Sequence, residues 1–388
     1  MTPAVFGYGF RPFFLGAGIY ATLAVPAALG AYFGLVDWPA AWPVGLWHAH
    51  EMLFGYAVAV VAGFMLTAVP GWQKSEPVAG PRLAALAAVW LAGRLAMWGA
   101  GWLPAWLVAA LDVAFLPLLL ALGLPALWLA RARRNRLFLA VLGLLALANA
   151  TVHAEAAGVI DGDFGIDLAL DTLALTIAIL GGRVVPAFTT GALKSAGLRD
   201  AVAPNPIADR VALASVAAFM AADVAAHIWP GAAPAAGGVA LAAAAANGWR
   251  MAGWATRHTL GAPIVWVLHL GYAWLVVGLA AKGLAGLGMI EPVAAQHLLA
   301  IGAIGTMTLA IMTRAGLGHT GRPIVAPPAI VTAYGLVSLA ALSRVVAASA
   351  FAMPALIVAA TAWTLAFGLF TAVFWPILTR PRPDGRPG

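Results

Sequence analysis

Residues Val44–Val69 read VGLWHAHEMLFGYAVAVVAGFMLTAV. These 26 residues hold one charged side chain, Glu51, and two imidazoles, His48 and His50. The hydrocarbon core of a bilayer is about 30 Å thick and takes about 20 apolar residues of α-helix, so this stretch is long enough to cross it. Its apolar residues run on without alternating, which argues against a strand of a transmembrane barrel. The same kind of stretch recurs along the chain. Twelve are expected, at Phe13–Leu35, Val44–Val69, Leu83–Gly99, Leu103–Ala130, Leu137–Ala157, Ile166–Thr189, Ile207–Trp229, Ala235–Trp254, Ile264–Leu287, Val293–Ala315, Ile324–Val346 and Leu356–Leu378. Of the 388 residues 63% are hydrophobic and 9% charged, and the mean hydropathy is +0.94. A soluble domain carries about 25% charge, and a disordered chain needs low hydrophobicity and high charge. Both classes are excluded. What remains is an all-α polytopic membrane helix bundle.

The loops between these stretches are short and rich in Gly, Pro and Asp. No linker is long enough to separate soluble domains, so residues 1–388 are expected to form a single integral membrane domain, and no clear repeat stands out by eye. Met1–Gly9 contains no basic residue and no signal-peptide cleavage site, so the first apolar segment is expected to be retained. Twelve spans put both termini on one side of the membrane. Arg11, Lys74, Arg82, Arg131, Arg133, Arg134, Arg136, Arg183, Lys194, Arg199, Arg210, Arg250, Arg257, Arg314, Arg322, Arg380, Arg382 and Arg386 fall at or near the same face, 18 of the 21 basic residues. The opposite loops carry Asp37, Asp161, Asp163 and Glu291. The excess of Lys and Arg on cytoplasmic loops therefore predicts both termini in the cytoplasm. It also accounts for the formal charge of +7 without a nucleic-acid partner, since juxtamembrane cations meet anionic lipid. Lys282 and Arg344, near outer helix ends, can snorkel. Arg94, in the outer half of the short third stretch, needs an anionic partner, either a carboxylate in an ion pair or a haem propionate.

Cysteine is absent, which removes disulfides, thiolate metal sites, iron–sulfur clusters and c-type haem attachment. A metal must rest on the eight histidines, on Met, on Tyr or on carboxylates. Imidazoles inside a membrane are costly and usually functional. His48, His50, His153, His227 and His297 share the outer depth, although they lie far apart in sequence. Such a cluster suits the axial imidazoles of a haem or the two or three imidazoles of a copper site. His48, His50, His153, His269 and His297 are the metal candidates. Arg94, His319 and Tyr272 join them as cofactor-binding candidates. His227, beside Trp229, and His258, beside Arg257, read as interfacial or solvated.

Trp47-His48-Ala49-His50-Glu51 is the strongest local signal. Residues two apart on a helix diverge by about 200°, so His48 and His50 are expected to serve different partners. Glu51 shares the face of His48 and could orient that imidazole from behind, pair with it structurally, or carry protons. Asn149, at i−4, could support His153 in the same way. His269 and Tyr272, at i and i+3, share a face that suits either an oxygen- or nitrogen-oxide-handling metal site or an ordinary buried hydrogen bond. The loop around His319 is expected to fold back toward them and complete an inner site, or else to be a solvated loop. Met307 and Met312 read as core. Gly181-Gly182 with Pro186 suggests a broken helix of the kind transporters use.

Several motifs in order resemble the NnrS family: Phe10-Arg11-Pro12-Phe13-Phe14, Trp47-His48-Ala49-His50-Glu51-Met52, Gly181-Gly182-Arg183-Val184-Val185-Pro186-Ala187-Phe188-Thr189, His269-Leu270-Gly271-Tyr272, His297, and Arg314 to Pro323. The resemblance implies a multi-pass bacterial inner-membrane protein with haem and copper, linked to nitric oxide metabolism and nitrosative-stress resistance. With no haem-attachment motif, the haem would be b-type. The expected partners are the lipid bilayer and nitric oxide or a related small molecule, with an electron donor the sequence does not identify. Two rival functions stand beside this one. A nitric oxide reductase would need a dinuclear site and a proton path, for which Glu51 and Glu155 are the nearby acids. The histidine pairs that mark haem–copper reductases are absent. A transporter of a metal complex or small anion would need facing broken helices.

Overall fold

The computed structural model describes residues 3–38, 41–128, 133–160, 162–194, 197–198, 201–347 and 352–386. Asp161, Arg131 and Arg199 lie outside the described residues. Among those described there is no strand. The helices are α1 (Phe10–Tyr32), α2 (Val44–Gln73), α3 (Gly80–Trp98), α4 (Ala105–Val113 continued by Phe115–Trp128), α5 (Leu137–Ala156), α6 (Phe164–Leu193), α7 (Pro206–Ile228), α8 (Ala233–Ala252), α9 (Pro263–Gly286), α10 (Pro292–His319), α11 (Pro328–Val346) and α12 (Ala352–Thr379). Each coincides with one of the twelve expected stretches. Among the described residues, ten are long and apolar enough to cross a membrane by length and composition. The other two also carry charge: α3 bears Arg82 and Arg94, and alanine-rich α8 bears Arg250 together with Asn247. Local chemistry sets the ends. Pro206, Pro263, Pro292 and Pro328 each open a helix, where the missing N–H costs nothing. The Asn205 side chain caps α7 by accepting from the N–H groups of Ile207 and Ala208.

The chain packs as two compact units. The first comprises Met1–Ala169, Ala315–Pro323 and Phe367–Gly388; the second comprises Leu170–Arg314 and Ile324–Ala366. In the first unit, Phe10, Phe13, Phe14, Trp47, Phe54, Tyr56 and Phe138 are fully buried. Arg11 is buried too, and its Nη1 donates to the carbonyls of Leu378 at 2.9 Å and Arg380 at 2.8 Å. It thereby satisfies carbonyls that a helix C-terminus leaves without partners, which gives the Phe-Arg-Pro motif a structural role. In the second unit α8 and α9 meet at glycine. A Cβ on Gly237 would lie 2.7 Å from the Gly283 carbonyl, and one on Gly286 would lie 2.9 Å from the Gly237 Cα. Small residues permit this approach, which is how membrane helices associate closely.

Two helices change pitch. In α2 the π-helical stretch Glu51–Ala57 follows Val44–His50, and in α10 the π-helical stretch Leu298–Gly305 follows Pro292–His297. A histidine is the last residue before the widened turn in both. Gly55 follows His50 as Gly302 follows His297, and each packs on an aromatic ring of the preceding helix, Tyr20 and Trp274 respectively. Met65 and Met312 follow at matching distances, and both are buried. The helices α2 and α10 thus share a pattern of histidine, π-helical stretch, glycine and methionine at equal spacing.

Two sequence expectations change. Helix α6 runs unbroken through Gly181, Gly182 and Pro186. The two glycines make room for side chains of its own unit, since a Cβ on Gly181 would touch the Tyr272 ring and one on Gly182 would overlap the Arg250 guanidinium. The segment around His319 is not a loop as far as that residue: α10 continues to His319.

Candidate metal centre

Four helices of the first unit converge on one buried polar cluster: His50 and Glu51 from α2, Arg94 from α3, Asp112 from α4, and Asn149 and His153 from α5. His50, Glu51 and Asp112 have side chains that are fully buried, and the His153 side chain is 8% exposed. Two glycines make room for the cluster. A Cβ on Gly93 would lie 3.0 Å from the Cα of Asp112, and one on Gly55 would lie 2.6 Å from the Tyr20 ring and 2.8 Å from Arg94 Nη1.

The hydrogen bonds of the cluster fix the direction of each group. His50 Nδ1 lies 2.8 Å from Glu51 Oε1, and His50 Nε2 lies 2.8 Å from Asn149 Oδ1 and 3.1 Å from Asp112 Oδ2. His153 Nε2 lies 2.9 Å from the same Asp112 oxygen. Arg94 pairs with Asp112 through the other carboxylate oxygen, Oδ1, and with Glu51 through Oε1. The Tyr20 hydroxyl donates to Glu51 Oε2 and accepts from Trp98 Nε1 at 2.8 Å. Donation from His50 Nδ1 to Glu51 puts the lone pair on Nε2. With that tautomer the Nε2 lone pair, the Asn149 carbonyl oxygen and Asp112 Oδ2 face one another, and His153 Nε2 stands at the same carboxylate oxygen as donor or ligand according to its own tautomer. A shared proton or a metal cation satisfies such a group. His50, Asp112 and His153 each offer one ligand atom, all within 4.8 Å of one another. Ligand atoms about 2.0–2.2 Å from a metal ion lie about 2.9–3.5 Å apart, close to the separations found here. The Trp42 ring stands edge-on to both imidazoles, 5.1 Å from His50 and 5.0 Å from His153, and Phe54 lies 4.9 Å from His50. Aromatic walls of this kind keep water from the polar atoms.

The candidate residues therefore separate. His50 and His153 come together, with ring centroids 5.3 Å apart. His48, two residues before His50, is half-buried and contributes no ligand atom to this group. Glu51 joins His50 rather than its expected partner His48, at the residue where the helix widens to π pitch. Asn149 supports His50 from the neighbouring helix, not His153 on its own. Arg94 is an ion-pair partner of two carboxylates, which is the structural alternative to a propionate anchor. Asp112 was missed, although a single acid inside the apolar stretch Leu103–Ala130 is a signal in itself.

In the second unit, His269 is a satisfied buried histidine. Thr189 gives its proton to the Val185 carbonyl at 2.7 Å, so it accepts from His269 Nε2 at 2.8 Å, and Nδ1 accepts from the Thr256 hydroxyl at 3.0 Å. Tyr272 donates to Asn247 at 2.6 Å and accepts from Arg250 at 3.1 Å, while Arg250 pairs with Asp209 at 2.7 Å and donates to the Ala178 carbonyl. His297 Nδ1 donates to the Val293 carbonyl of its own helix, and His227 Nδ1 likewise to Asp223. Lys282 does not snorkel; it pairs with Asp223 at 3.3 Å. His258 accepts from Arg257 Nε in the segment between α8 and α9. In the first unit, His319 stacks on Tyr8 at 6.0 Å and lies 5.6 Å from Phe10, with an exposed edge. Nearby, outside the spans, Arg382 pairs with Asp384 and holds its carboxyl below the usual carboxylate range.

No curated protein matches the chain. A family model described as NnrS protein matches residues 4–382, nearly the whole length. With the motifs now seated in α1, α2, α6, α9 and α10, the chain belongs to the NnrS family.

Proposed function

We propose that the chain holds a copper ion on His50, Asp112 and His153, and that this centre serves nitric oxide metabolism at the outer side of a bacterial inner membrane. The observation that carries the reading is the convergence of two imidazole nitrogens and a carboxylate oxygen on one buried point. Imidazole suits copper, and copper(II) heads the affinity order of divalent first-row ions for nitrogen and oxygen donors. Family membership supports copper and the link to nitric oxide.

The chain's own residues divide the work. His50 and His153 present Nε2 atoms from two helices. Arg94 holds Asp112 by one oxygen and leaves the other for the ion. Trp42 and Phe54 set apolar rings against the imidazoles, surroundings that suit an uncharged diatomic such as nitric oxide. Bound copper supplies a redox-active Lewis acid there. A haem macrocycle between His50 and His153 does not fit, because it would displace Asp112, Asn149 and Trp42; His269 is held by Thr189 and Thr256. No step is therefore derived through haem.

Metal analysis of protein purified from copper-replete cells tests the reading. About one copper per chain is expected in wild type and in His269→Ala, and none in His153→Ala or Asp112→Ala. Nitric oxide added to the copper-loaded wild type should change its copper EPR signal. Retention of copper by both loss variants, or zinc or iron in its place, would overturn the copper site; an unchanged signal would overturn the nitric oxide link.

A further inference from the structure

We propose that Glu51 is the positioning residue of the copper centre, a carboxylate clamped by Arg94 and Tyr20 so that His50 can bind metal only through Nε2. The proposal rests on the copper site just described and deepens it. Both carboxylate oxygens of Glu51 are already engaged. Oε1 receives His50 Nδ1 at 2.8 Å and Arg94 Nη1, and Oε2 receives the Tyr20 hydroxyl. Tyr20 is itself held by Trp98 Nε1 at 2.8 Å. A carboxylate bound this way is a poor ligand and a rigid acceptor. It fixes the imidazole tautomer, since Nδ1 must carry the proton, and it fixes the ring plane.

The backbone supports the assignment. Neighbouring residues on an α-helix diverge by about 100°, so a histidine and the next residue do not ordinarily address each other. Here the pitch widens from Glu51 onward, and single π-turns concentrate at functional sites. The widened turn lets consecutive residues act as ligand and ligand-holder. Gly55, in the same turn, leaves the space that Tyr20 and Arg94 occupy. Carboxylates behind metal-bound imidazoles typically hold 10–100-fold of metal affinity, and the fully buried Glu51 meets that description by position and by hydrogen bond.

The test uses full-length protein in lipid nanodiscs loaded with copper(II). Electron spin echo modulation reads the nitrogen of each bound imidazole that faces away from the metal, and its frequencies depend on the hydrogen bond that nitrogen makes. Wild type should show two imidazoles with unlike remote nitrogens. In Glu51→Gln one of the two should shift while the other, from His153, stays, and copper affinity should fall 10–100-fold. Tyr20→Phe removes one hydroxyl only, and should shift the same nitrogen by less; it serves if Glu51→Gln does not fold. Unchanged modulation and affinity in both variants, with two imidazoles still bound, would overturn the positioning role and leave the copper site standing. Wild type without imidazole modulation would remove both.

Discussion

Gly93 lacks a side chain where the backbone of Asp112 comes closest to α3, and Gly55 does the same for Tyr20 and Arg94. At this scale the centre depends on what is missing as much as on the donors. Gly93→Ala forces a methyl against backbone, which side-chain rotation cannot relieve. Overpacking of this kind costs about 1–3 kcal/mol, and the displaced helix is the one that carries Asp112. The variant should melt at lower temperature in detergent and hold less copper, whereas an alanine at exposed Gly71, with nothing within 4 Å, should change neither. Asp112→Ala should cost more. Removing one partner of a buried ion pair leaves the other uncompensated, at about 3–5 kcal/mol, although here Glu51 still holds Arg94. A thermal melt of apo protein measures it, and a melting temperature equal to wild type would contradict the ion pair. The sequence announces His50 and His153 because imidazoles are rare in membranes. Asp112, the lone acid in an apolar stretch, is an equal signal that goes unread when only imidazoles are counted. What the sequence withholds is the partner of Glu51, because helical periodicity assigns that side chain to His48.

The change of pitch in α2 is invisible to a reading that assumes a uniform helix, and it begins at Glu51, which serves His50. The same change in α10 follows His297, with Gly302 and Met312 at the spacings that Gly55 and Met65 keep from His50. Gly181-Gly182 shows the converse error. A glycine pair beside a proline reads as a break, yet α6 passes straight through, because the glycines seat Tyr272 and Arg250. At α8 and α9, backbone meets backbone at Gly237, Gly283 and Gly286. Gly237→Val is expected to push these two helices apart and to lower the melting temperature of the protein, because no rotamer of valine avoids a carbonyl 2.7 Å from Cβ. An unchanged melting temperature would mean that the close approach contributes nothing to stability.

Across the whole chain, the twelve helical stretches and the basic bias of alternate loops were legible from the order of residues, because the bilayer imposes length and charge rules; ten of the twelve are long and apolar enough to cross it among the described residues. With helix ends in hand the bias sharpens. Lys74, Arg136, Lys194, Arg257, Arg322 and Arg380 lie in connections of one parity or at the C-terminus, and Asp37, Asp163 and Glu291 lie in those of the other. We predict that reporters fused after Arg386 and inserted between α5 and α6 report opposite compartments, with the C-terminus cytoplasmic. An outer C-terminus would put the centre on the wrong side for an extracytoplasmic supply of copper. The copper centre itself is tested most directly by diffraction from copper-loaded protein at the copper absorption edge. One anomalous peak is expected, within about 2.0–2.2 Å of His50 Nε2, His153 Nε2 and Asp112 Oδ2. A peak at His48, His269 or His297 instead, or no peak at copper saturation, would contradict it.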